Sequence, residues 1–216
     1  MENLEQDKSS MVTDVILMSG GLDSVCLLNV LLALGKKPIL MWFDYGQKNA
    51  VAEYKAVCQI ANKYSLELRS LLVPSLYMYA DSSILRTGYQ CNVHKHTVEN
   101  SELPARNMAL IAAAVANCPQ GVCEIHIGAH KTAAEYFDCT REFVEMANVL
   151  VANLTKGRVQ LTADFINMTK EELVRHAVEM GMTKDDVDLS VSCYEGTGCG
   201  ECPACKQRAE ILKNIF

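Results

Sequence analysis

Four cysteines lie close together near the end of the 216-residue chain, and their spacing is typical of a metal site. Each two-residue gap between the last three allows a tight turn that directs neighbouring thiolates at one ion, and four thiolates are the ligand set of a closed structural zinc site. An iron–sulfur cluster is the alternative, although the Cys-Pro that ends ferredoxin-like runs is absent. We therefore predict a structural Zn2+ bound by Cys193, Cys199, Cys202 and Cys205.

A glycine-containing segment near the start of the chain is the second candidate site. Residues 19–24 read SGGLDS and stand between a short apolar run and a helical pattern. Backbone N–H groups at such a turn, together with the dipole of the following helix, favour a phosphate group. Asp23 is placed to hold a magnesium ion beside that phosphate. The simpler alternative is a strand–helix turn that needs glycine only for its backbone.

The glycine spacing of this segment excludes two better-known phosphate-binding loops. It lacks the Gly-x-x-x-x-Gly-Lys-Ser/Thr pattern of enzymes that transfer the γ-phosphate of a nucleotide, and it lacks the Gly-x-Gly-x-x-Gly pattern of dinucleotide-binding proteins. Since the lysine of the γ-phosphate enzymes is missing, the sequence favours cleavage of ATP between its α and β phosphates.

The composition disfavours nucleic acid and membranes as partners. The formal net charge is −6 and the basic residues are scattered, whereas proteins that bind nucleic acid usually carry a clustered basic excess. No apolar run reaches the length of about 18 residues that a membrane-spanning helix needs. The ten cysteines, in a chain without a recognisable export signal, indicate a reducing cytoplasm.

Apolar runs and helical periodicities alternate along the chain, which predicts an α/β fold with a doubly wound parallel sheet. We expect a disordered leader at 1–11, one domain at 12–190 that carries the SGGLDS segment, and a four-cysteine tail at 191–216 packed on it. Residues 76–103 are polar and lack periodicity, so we expect a functional loop or lid there. Strands are predicted at 14–18, 38–43, 67–73, 123–129 and 159–161, and helices at 23–34, 50–64, 108–118, 141–154 and 170–180.

The SGGLDS segment resembles the signature of the pyrophosphate-loop ATPases, which bind ATP and adenylate carbonyl or carboxyl oxygens. Further segments resemble, in chain order, one subfamily of these enzymes, the 7-cyano-7-deazaguanine synthases of the queuosine precursor pathway. They are residues 43–47 (FDYGQ), 103–107 (LPARN), 138–139 (DC) with 142–143 (EF), and 192–195 (SCYE). The chain departs from the family at 134–137, which reads AEYF instead of Ser-Gly-Tyr-Pro, and at Ala105, where the family usually has glycine.

The resemblance implies which residues form the site. Asp23, Arg106 and Lys170 are predicted to be catalytic, Arg106 through a phosphate or carboxylate and Lys170 as a counterpart of a phosphate-binding lysine in related ATPases. Tyr45, Gln47 and Asp138 are predicted to bind the substrate, with Asp138 at the guanidine-like edge of the deazapurine. The predicted ATP-binding residues are Met18, Ser19, Gly20, Gly21, Leu22, Asp23, Ser24, Val25, Cys26, Leu27, Leu28 and Asp44.

The resemblance also implies the reaction and its partners. The expected substrates are 7-carboxy-7-deazaguanine, ammonia and ATP with Mg2+, and the product is 7-cyano-7-deazaguanine. The family carries zinc at the four cysteines, and a homodimer is a possible assembly.

Two other functions stay open, a tRNA-thiolating enzyme with the same ATP loop and a non-catalytic nucleotide- or zinc-binding module. Outside these sites, Cys139 and the strand residue His126 are interpreted as core residues.

Overall fold

The computed structural model describes residues 12–73, 76–86 and 97–216. The predicted leader at 1–11 lies outside the described residues, as does the stretch 87–96 within the predicted lid. In the described part of the chain, no helix combines the length and the apolar content that crossing a membrane requires.

Five parallel strands form one sheet in the order β3-β2-β1-β4-β5. Strand β2 is a short apolar run with five of its six residues buried, and the central strand β1 buries Val15 and Ile16, as expected for parallel strands that are covered on both faces. The predicted α/β class with a doubly wound parallel sheet is therefore confirmed. The strands are β1 (Thr13–Leu17), β2 (Ile39–Asp44), β3 (Leu68–Leu72), β4 (Cys123–His126) and β5 (Val159–Thr162).

Helices cover both faces of the sheet. Val15 and Ile16 are neighbours in β1 but belong to opposite apolar layers, because successive strand residues point to opposite faces. One layer packs under α1, α2, α6, α7 and α8, and the other under α4 and α5. The helices are α1 (Leu22–Ala33), α2 (Ala50–Tyr64), α3 (Val98–Ser101), α4 (Arg106–Asn117), α5 (Arg141–Leu154), α6 (Lys170–Glu179), α7 (Lys184–Leu189) and α8 (Pro203–Lys213).

Strand β1 lies where the direction of the chain across the sheet reverses. It pairs with β2 on one side and with β4 on the other, so the segments that follow β1 and β4 diverge to opposite faces of the sheet. A crevice at the carboxyl ends of the strands forms at such a point, and ligands of open α/β sheets bind there. The SGGLDS segment follows β1 and therefore lies at this crevice.

The helices differ from the sequence expectation in three places. Helix α3 lies within residues 76–103, where a loop or lid without periodicity was expected. Helix α4 begins two residues earlier than predicted because Ala105 adopts a left-handed conformation, with φ 58°, and turns the chain into the helix. In the C-terminal part, α7 and α8 were not predicted. Helix α7 is short and depends on a capping box between Thr183 and Asp186, and α8 begins at Pro203 directly after Cys202.

Candidate active site and metal centre

A cavity of about 660 Å3 opens at the carboxyl edge of the sheet. Its wall contains Asp23 and Lys170 at the phosphate loop, which we define as residues 19–24, and it contains Tyr45 and Arg106 as well. These four predicted site residues come from segments far apart in the sequence, and the fold brings them to one cavity. Asp44 and Asp138 are absent from the wall.

The phosphate loop requires glycine for its shape. Gly20 has φ +77°, and a Cβ there would approach Val57 to 3.0 Å and the carbonyl oxygen of Glu53 to 3.2 Å. The loop is closed by side chains as well, since Gly21 N donates to Ser19 Oγ at 3.1 Å and the Ser19 and Ser24 hydroxyls lie 3.2 Å apart. Helix α1 begins directly after the glycines, so its first N–H groups and its dipole favour an anion at this place.

Asp23 lies between two cationic or polar groups. Lys170 Nζ donates to Asp23 Oδ2 at 3.1 Å, and His130 Nε2 lies 3.6 Å from the same oxygen. Burial by itself would raise the pKa of Asp23, but Lys170 and His130 outweigh burial and hold this pKa below its ordinary value. Asp23 Oδ1 is buried and has no hydrogen-bond partner among the described residues. An ionised carboxylate with one oxygen unused fits a hard divalent cation such as magnesium.

Lys170 reaches Asp23 because α6 begins at this point. Thr169 caps the helix, and its side chain and that of Glu172 form a reciprocal capping box that fixes the first turn. The Lys170 backbone N–H also donates to the Thr132 hydroxyl at 3.1 Å, which ties the start of α6 to the segment after β4.

His130 is a cavity residue that the sequence analysis missed. It follows β4, is buried, and its Nδ1 has no partner among the described residues. Gly128 places this segment directly against the phosphate loop, and a Cβ there would lie in ordinary contact with Asp23 C and Ser24 N, at 3.6 Å. The only signal in the sequence was its place four residues after the end of β4, and that signal requires knowing that β4 lies beside β1.

Arg106 and Tyr45 form a second polar region of the cavity. Burial would lower the pKa of Arg106, but neighbouring Tyr45 and Asp138 raise it, and the guanidinium remains charged. Burial raises the pKa of Tyr45 to about 12, so its hydroxyl remains neutral while it interacts with Arg106. No ion pair between Arg106 and a carboxylate occurs among the described residues. A half-buried guanidinium that lines a cavity and forms no ion pair with a described carboxylate favours an anionic ligand.

Gln47 shapes the loop that presents Tyr45. Its Oε1 accepts from Tyr45 N at 2.9 Å, while Nε2 donates to Phe43 O at 2.8 Å and to Glu53 Oε2 at 2.9 Å. Asp44 lies at the same turn, where its carboxylate accepts from Gly46 N at 2.9 Å. Both residues thus use their side chains within the loop, and their predicted contacts with ligands stay predictions.

Asp138 supports the start of α4 from outside the cavity. Its Oδ2 accepts from Asn107 N at 3.0 Å, and its backbone oxygen accepts from Asn107 Nδ2 at 2.8 Å. The predicted contact of Asp138 with the substrate stays a prediction. The next residue, Cys139, is buried in an apolar layer, where burial raises the pKa of its thiol to about 11, and it also borders the cavity.

The four cysteines of the tail converge on one point. Their sulfur atoms all lie within 4.8 Å of one another, and Cys199 Sγ and Cys205 Sγ are 4.0 Å apart. A tetrahedral ion with metal–sulfur bonds of about 2.3 Å separates its sulfurs by about 3.8 Å, so the group could hold a metal ion such as zinc. Burial would raise the pKa of Cys193, but N–H groups of Cys199, Glu195 and Thr197 outweigh burial and lower it to about 6.

A second group with potential ligands surrounds His126. The atoms of Asp14, Glu124 and His126 also lie within 4.8 Å of one another. His126 is 1% exposed, and both of its ring nitrogens are 2.9 Å from a carboxylate, Nε2 from Asp14 and Nδ1 from Asp164. The prediction of a core histidine is confirmed, and its polar partners are now identified.

Comparison with known proteins shows the family to which the chain belongs. The family profile described as "Queuosine biosynthesis protein QueC" matches residues 13–216. The 7-cyano-7-deazaguanine synthase of Rickettsia canadensis is 30% identical, over 92% of this chain and 93% of the relative. The enzyme of the same name from Aquifex aeolicus is 32% identical, over 94% and 97%.

A solved structure agrees with the fold. The chain resembles a structure described as a predicted subunit of tRNA methyltransferase from Methanocaldococcus jannaschii, with a TM-score of 0.50. The alignment covers 78% of this chain and 75% of the other, at 13% sequence identity. At this identity the likeness concerns the fold alone.

Proposed function

The chain belongs to the family of queuosine biosynthesis protein QueC, and from this membership and the geometry of the cavity we propose that it is an ATP-dependent carbon–nitrogen ligase. It converts 7-carboxy-7-deazaguanine and ammonia to 7-cyano-7-deazaguanine and releases AMP and pyrophosphate. The observation that carries the proposal is a single cavity with a phosphate loop and Asp23–Lys170 in one part and Arg106–Tyr45 in another.

The chemistry needs adenylation because a carboxylate oxygen leaves neither as hydroxide nor as oxide. In the first half, the carboxylate attacks the α-phosphorus of ATP and expels pyrophosphate, and ammonia then displaces AMP with loss of one proton. The resulting amide oxygen attacks a second ATP, with loss of pyrophosphate and one N–H proton. Cleavage of the carbon–oxygen bond, with loss of the last N–H proton, releases AMP and leaves the nitrile.

The phosphate loop and its neighbours bind and stabilise the pyrophosphate as it leaves. The N–H groups at the start of α1 bind phosphate oxygens, and Lys170 offsets negative charge next to Asp23. Asp23 would hold the magnesium ion that accompanies ATP, which supplies further charge neutralisation at the departing group. Because these groups are already in place in the folded chain, their contribution is positioning and electrostatic stabilisation.

Arg106 and Tyr45 bind and orient the carboxylate of 7-carboxy-7-deazaguanine. The guanidinium of Arg106 holds the carboxylate of the substrate in the orientation that directs one oxygen at the α-phosphorus, and Tyr45 keeps the guanidinium in place. Tyr136 and Ser101 also line this cavity, and their hydroxyls lie 3.0 Å apart, which provides polar contacts for a heterocycle. We propose Gln47 and Asp138 as further determinants of substrate binding, acting through the loop and the helix start that they hold.

We also propose that the metal of the tail is zinc. Four thiolates leave no open coordination position, so this centre has a structural role. The scheme needs no covalent enzyme intermediate, because ammonia attacks the adenylate directly, and Cys139 is therefore not required as a nucleophile.

A direct assay tests the proposed function. The full-length protein is incubated with Mg-ATP, ammonia and the deazaguanine acid, and products are identified by mass spectrometry. AMP, pyrophosphate and the nitrile are expected, whereas ADP with inorganic phosphate would contradict the assignment. Asp23→Asn should reduce turnover at least 100-fold, while Asp188→Asn, which removes an exposed carboxylate paired with Lys184, serves as the matched control. Sulfur transfer to tRNA instead would favour the thiolating alternative.

A further inference from the structure

The four-cysteine tail contributes to the wall of the nucleotide cavity. Val191, Ser192 and Tyr194 from the segment before and within the cysteine cluster line it, as do Pro203 and Gln207 from α8. A structural metal site often lies far from the active site of its protein. Here the segments that carry the cysteines also border the cavity, so the presence or absence of the metal ion can affect the cavity.

A backbone hydrogen bond connects the tail to the phosphate loop. Val191 N donates to Gly20 O at 2.8 Å, two residues before Cys193. The Gly20 carbonyl and the Gly21 N–H belong to one planar peptide unit and point in opposite directions. When Val191 holds the carbonyl, it therefore also fixes the direction of the Gly21 N–H. This peptide, whose N–H donates to Ser19 Oγ at 3.1 Å and closes the phosphate loop, is thus oriented from the tail.

Arg208 fastens the same segment from the other side of the cysteine cluster. It lies on α8, three residues after Cys205, and its guanidinium donates to Ser190 Oγ at 2.6 Å and to Val187 O at 2.5 Å. A third bond of 3.3 Å goes to Ser192 Oγ. Both neighbours of Val191 are therefore held by a residue of α8, and the first turn of α8 supplies two of the cysteines.

We propose that the metal centre and Arg208 are positioning elements of the phosphate loop, so that metal occupancy and nucleotide affinity are coupled. The ion joins Cys193 to α8, Arg208 joins α8 to Ser190 and Ser192, and Val191 between them orients the Gly20–Gly21 peptide. Loss of the ion frees both ends of this connection, and nucleotide binding must then restore the loop at a cost in affinity. The inference rests on the proposed binding of ATP.

Thermodynamic linkage makes the coupling reciprocal. If metal strengthens nucleotide binding by a given factor, the nucleotide must strengthen metal binding by the same factor. A metal centre that contributed only to global stability would show no such relation as long as the protein stays folded. The two measurements together therefore distinguish a positioning role from a purely structural one.

The first experiment uses the full-length protein, metal-loaded and chelator-treated, with far-UV circular dichroism to verify the fold. Affinity for the Mg complex of α,β-methylene-ATP is measured by calorimetry. We expect it to be at least 10-fold weaker after metal removal, and we expect the analogue to protect the metal against a chromogenic chelator by the same factor. Equal nucleotide affinity with and without metal in folded protein would overturn the coupling. Absence of analogue binding to the loaded protein would instead refute the proposed function.

The second experiment separates Arg208 from the ion. Arg208→Gln should retain one metal per chain but bind the analogue about 5- to 20-fold more weakly, whereas Arg175→Gln, which removes an exposed pair with Glu171, should match the wild type. If Arg208→Gln does not fold, Ser190→Ala tests the same connection and should weaken the analogue about 2- to 5-fold. Wild-type affinity in the folded variant, or loss of its metal, would overturn the role of Arg208.

Discussion

Within the part of the chain that the structure describes, two groups of side chains bring potential metal ligands within 4.8 Å of one another, yet their surroundings differ. At the four cysteines, backbone N–H groups approach the sulfurs, as in the bonds from Cys199 N to Cys193 Sγ and from Cys202 N to Cys199 Sγ, both 3.4 Å long. These donors lower the pKa of Cys193, but burial raises the pKa of Cys205 to about 12, and none of them supplies a full positive charge. Four thiolates together therefore require a bound cation.

The group around His126 already contains its cations. Lys36 Nζ lies 2.7 Å from Asp14 and 3.6 Å from Glu124, and the ring of His126 lies between Asp14 and Asp164. Burial would lower the pKa of His126, but its carboxylate partners outweigh burial and raise it. Lys36 offsets one of the three negative charges, and the raised pKa of His126 favours its charged form, which offsets a second. Proximity of ligand atoms is therefore not sufficient for a metal site, because in this group cationic side chains already lie among the ligands, whereas at the cysteines no described cationic side chain does.

The largest expected effect comes from removing a cysteine. Cys202→Ser should lose the bound zinc and lower the melting temperature by about 10 °C, because metal binding contributes folding free energy and about 3 kcal/mol corresponds to such a shift in a chain of this size. Elemental analysis and differential scanning calorimetry provide the two readouts. Cys58→Ser, which changes a cysteine outside the cluster on α2, is the control and should retain metal.

Either of two results would contradict the assignment of the four cysteines to a zinc site that stabilises the whole domain. Wild-type protein that contains iron with a visible charge-transfer band would identify an iron–sulfur cluster in place of zinc. A Cys202→Ser variant that lost its metal and melted at the wild-type temperature would make the tail a separately stable unit, in conflict with its contacts to the phosphate loop.

The two groups also differ in how far apart their residues lie in the sequence, and this distance determines which of them could be predicted from it. The cysteines lie within thirteen residues, so their spacing alone predicted the cluster. The partners of His126 come from β1 and from the segment after β5, and the pairing of β1 with β4 is a consequence of the sheet order. Asp23 and Lys170 were both predicted from the resemblance, but their 3.1 Å contact joins residues 147 positions apart. His130, which shares this carboxylate, left no local signal.

The long elements followed from their periodicity, whereas the short helices of the C-terminal part did not. Helix α7 has six residues, too few for a period to be recognised, and it is defined by the capping box at Thr183. Helix α8 begins inside the cysteine cluster, where the spacing predicted turns around a metal and masked the start of a helix. Local patterns thus predicted the framework, and contacts across the sheet determined the site.

An intermediate effect is expected from His126→Gln. The pKa of His126 is raised in the folded state, so its contribution to stability is fully present below the unfolded pKa of about 6.5 and is lost as pH rises through the folded value. The variant should be less stable than the wild type by about 2 kcal/mol at pH 5.5 and by clearly less at pH 9, as measured by urea unfolding. Its zinc content should not change. A pH-independent difference would mean that the histidine is uncharged in this cluster.

The smallest expected effect, and the sharpest test of charge matching, is that of Lys36→Met. Lys36 is about one-third exposed, so loss of its ion pairs should cost only about 0.5–1 kcal/mol at low ionic strength. The variant leaves Asp14 and Glu124 with an unmatched charge next to His126, which converts the cluster into a weak cation site.

Millimolar Mn2+, added to zinc-loaded protein, should therefore raise the melting temperature of Lys36→Met and leave that of the wild type almost unchanged. Lys37→Met, which removes the neighbouring exposed lysine, controls for the general loss of a positive charge and should respond like the wild type. Paramagnetic broadening of the His126 ring signals by Mn2+ locates the ion. Equal stabilisation and equal broadening in the wild type would show that Lys36 does not occupy the place of a metal, and the distinction between the two clusters would then have to rest on their ligand types alone.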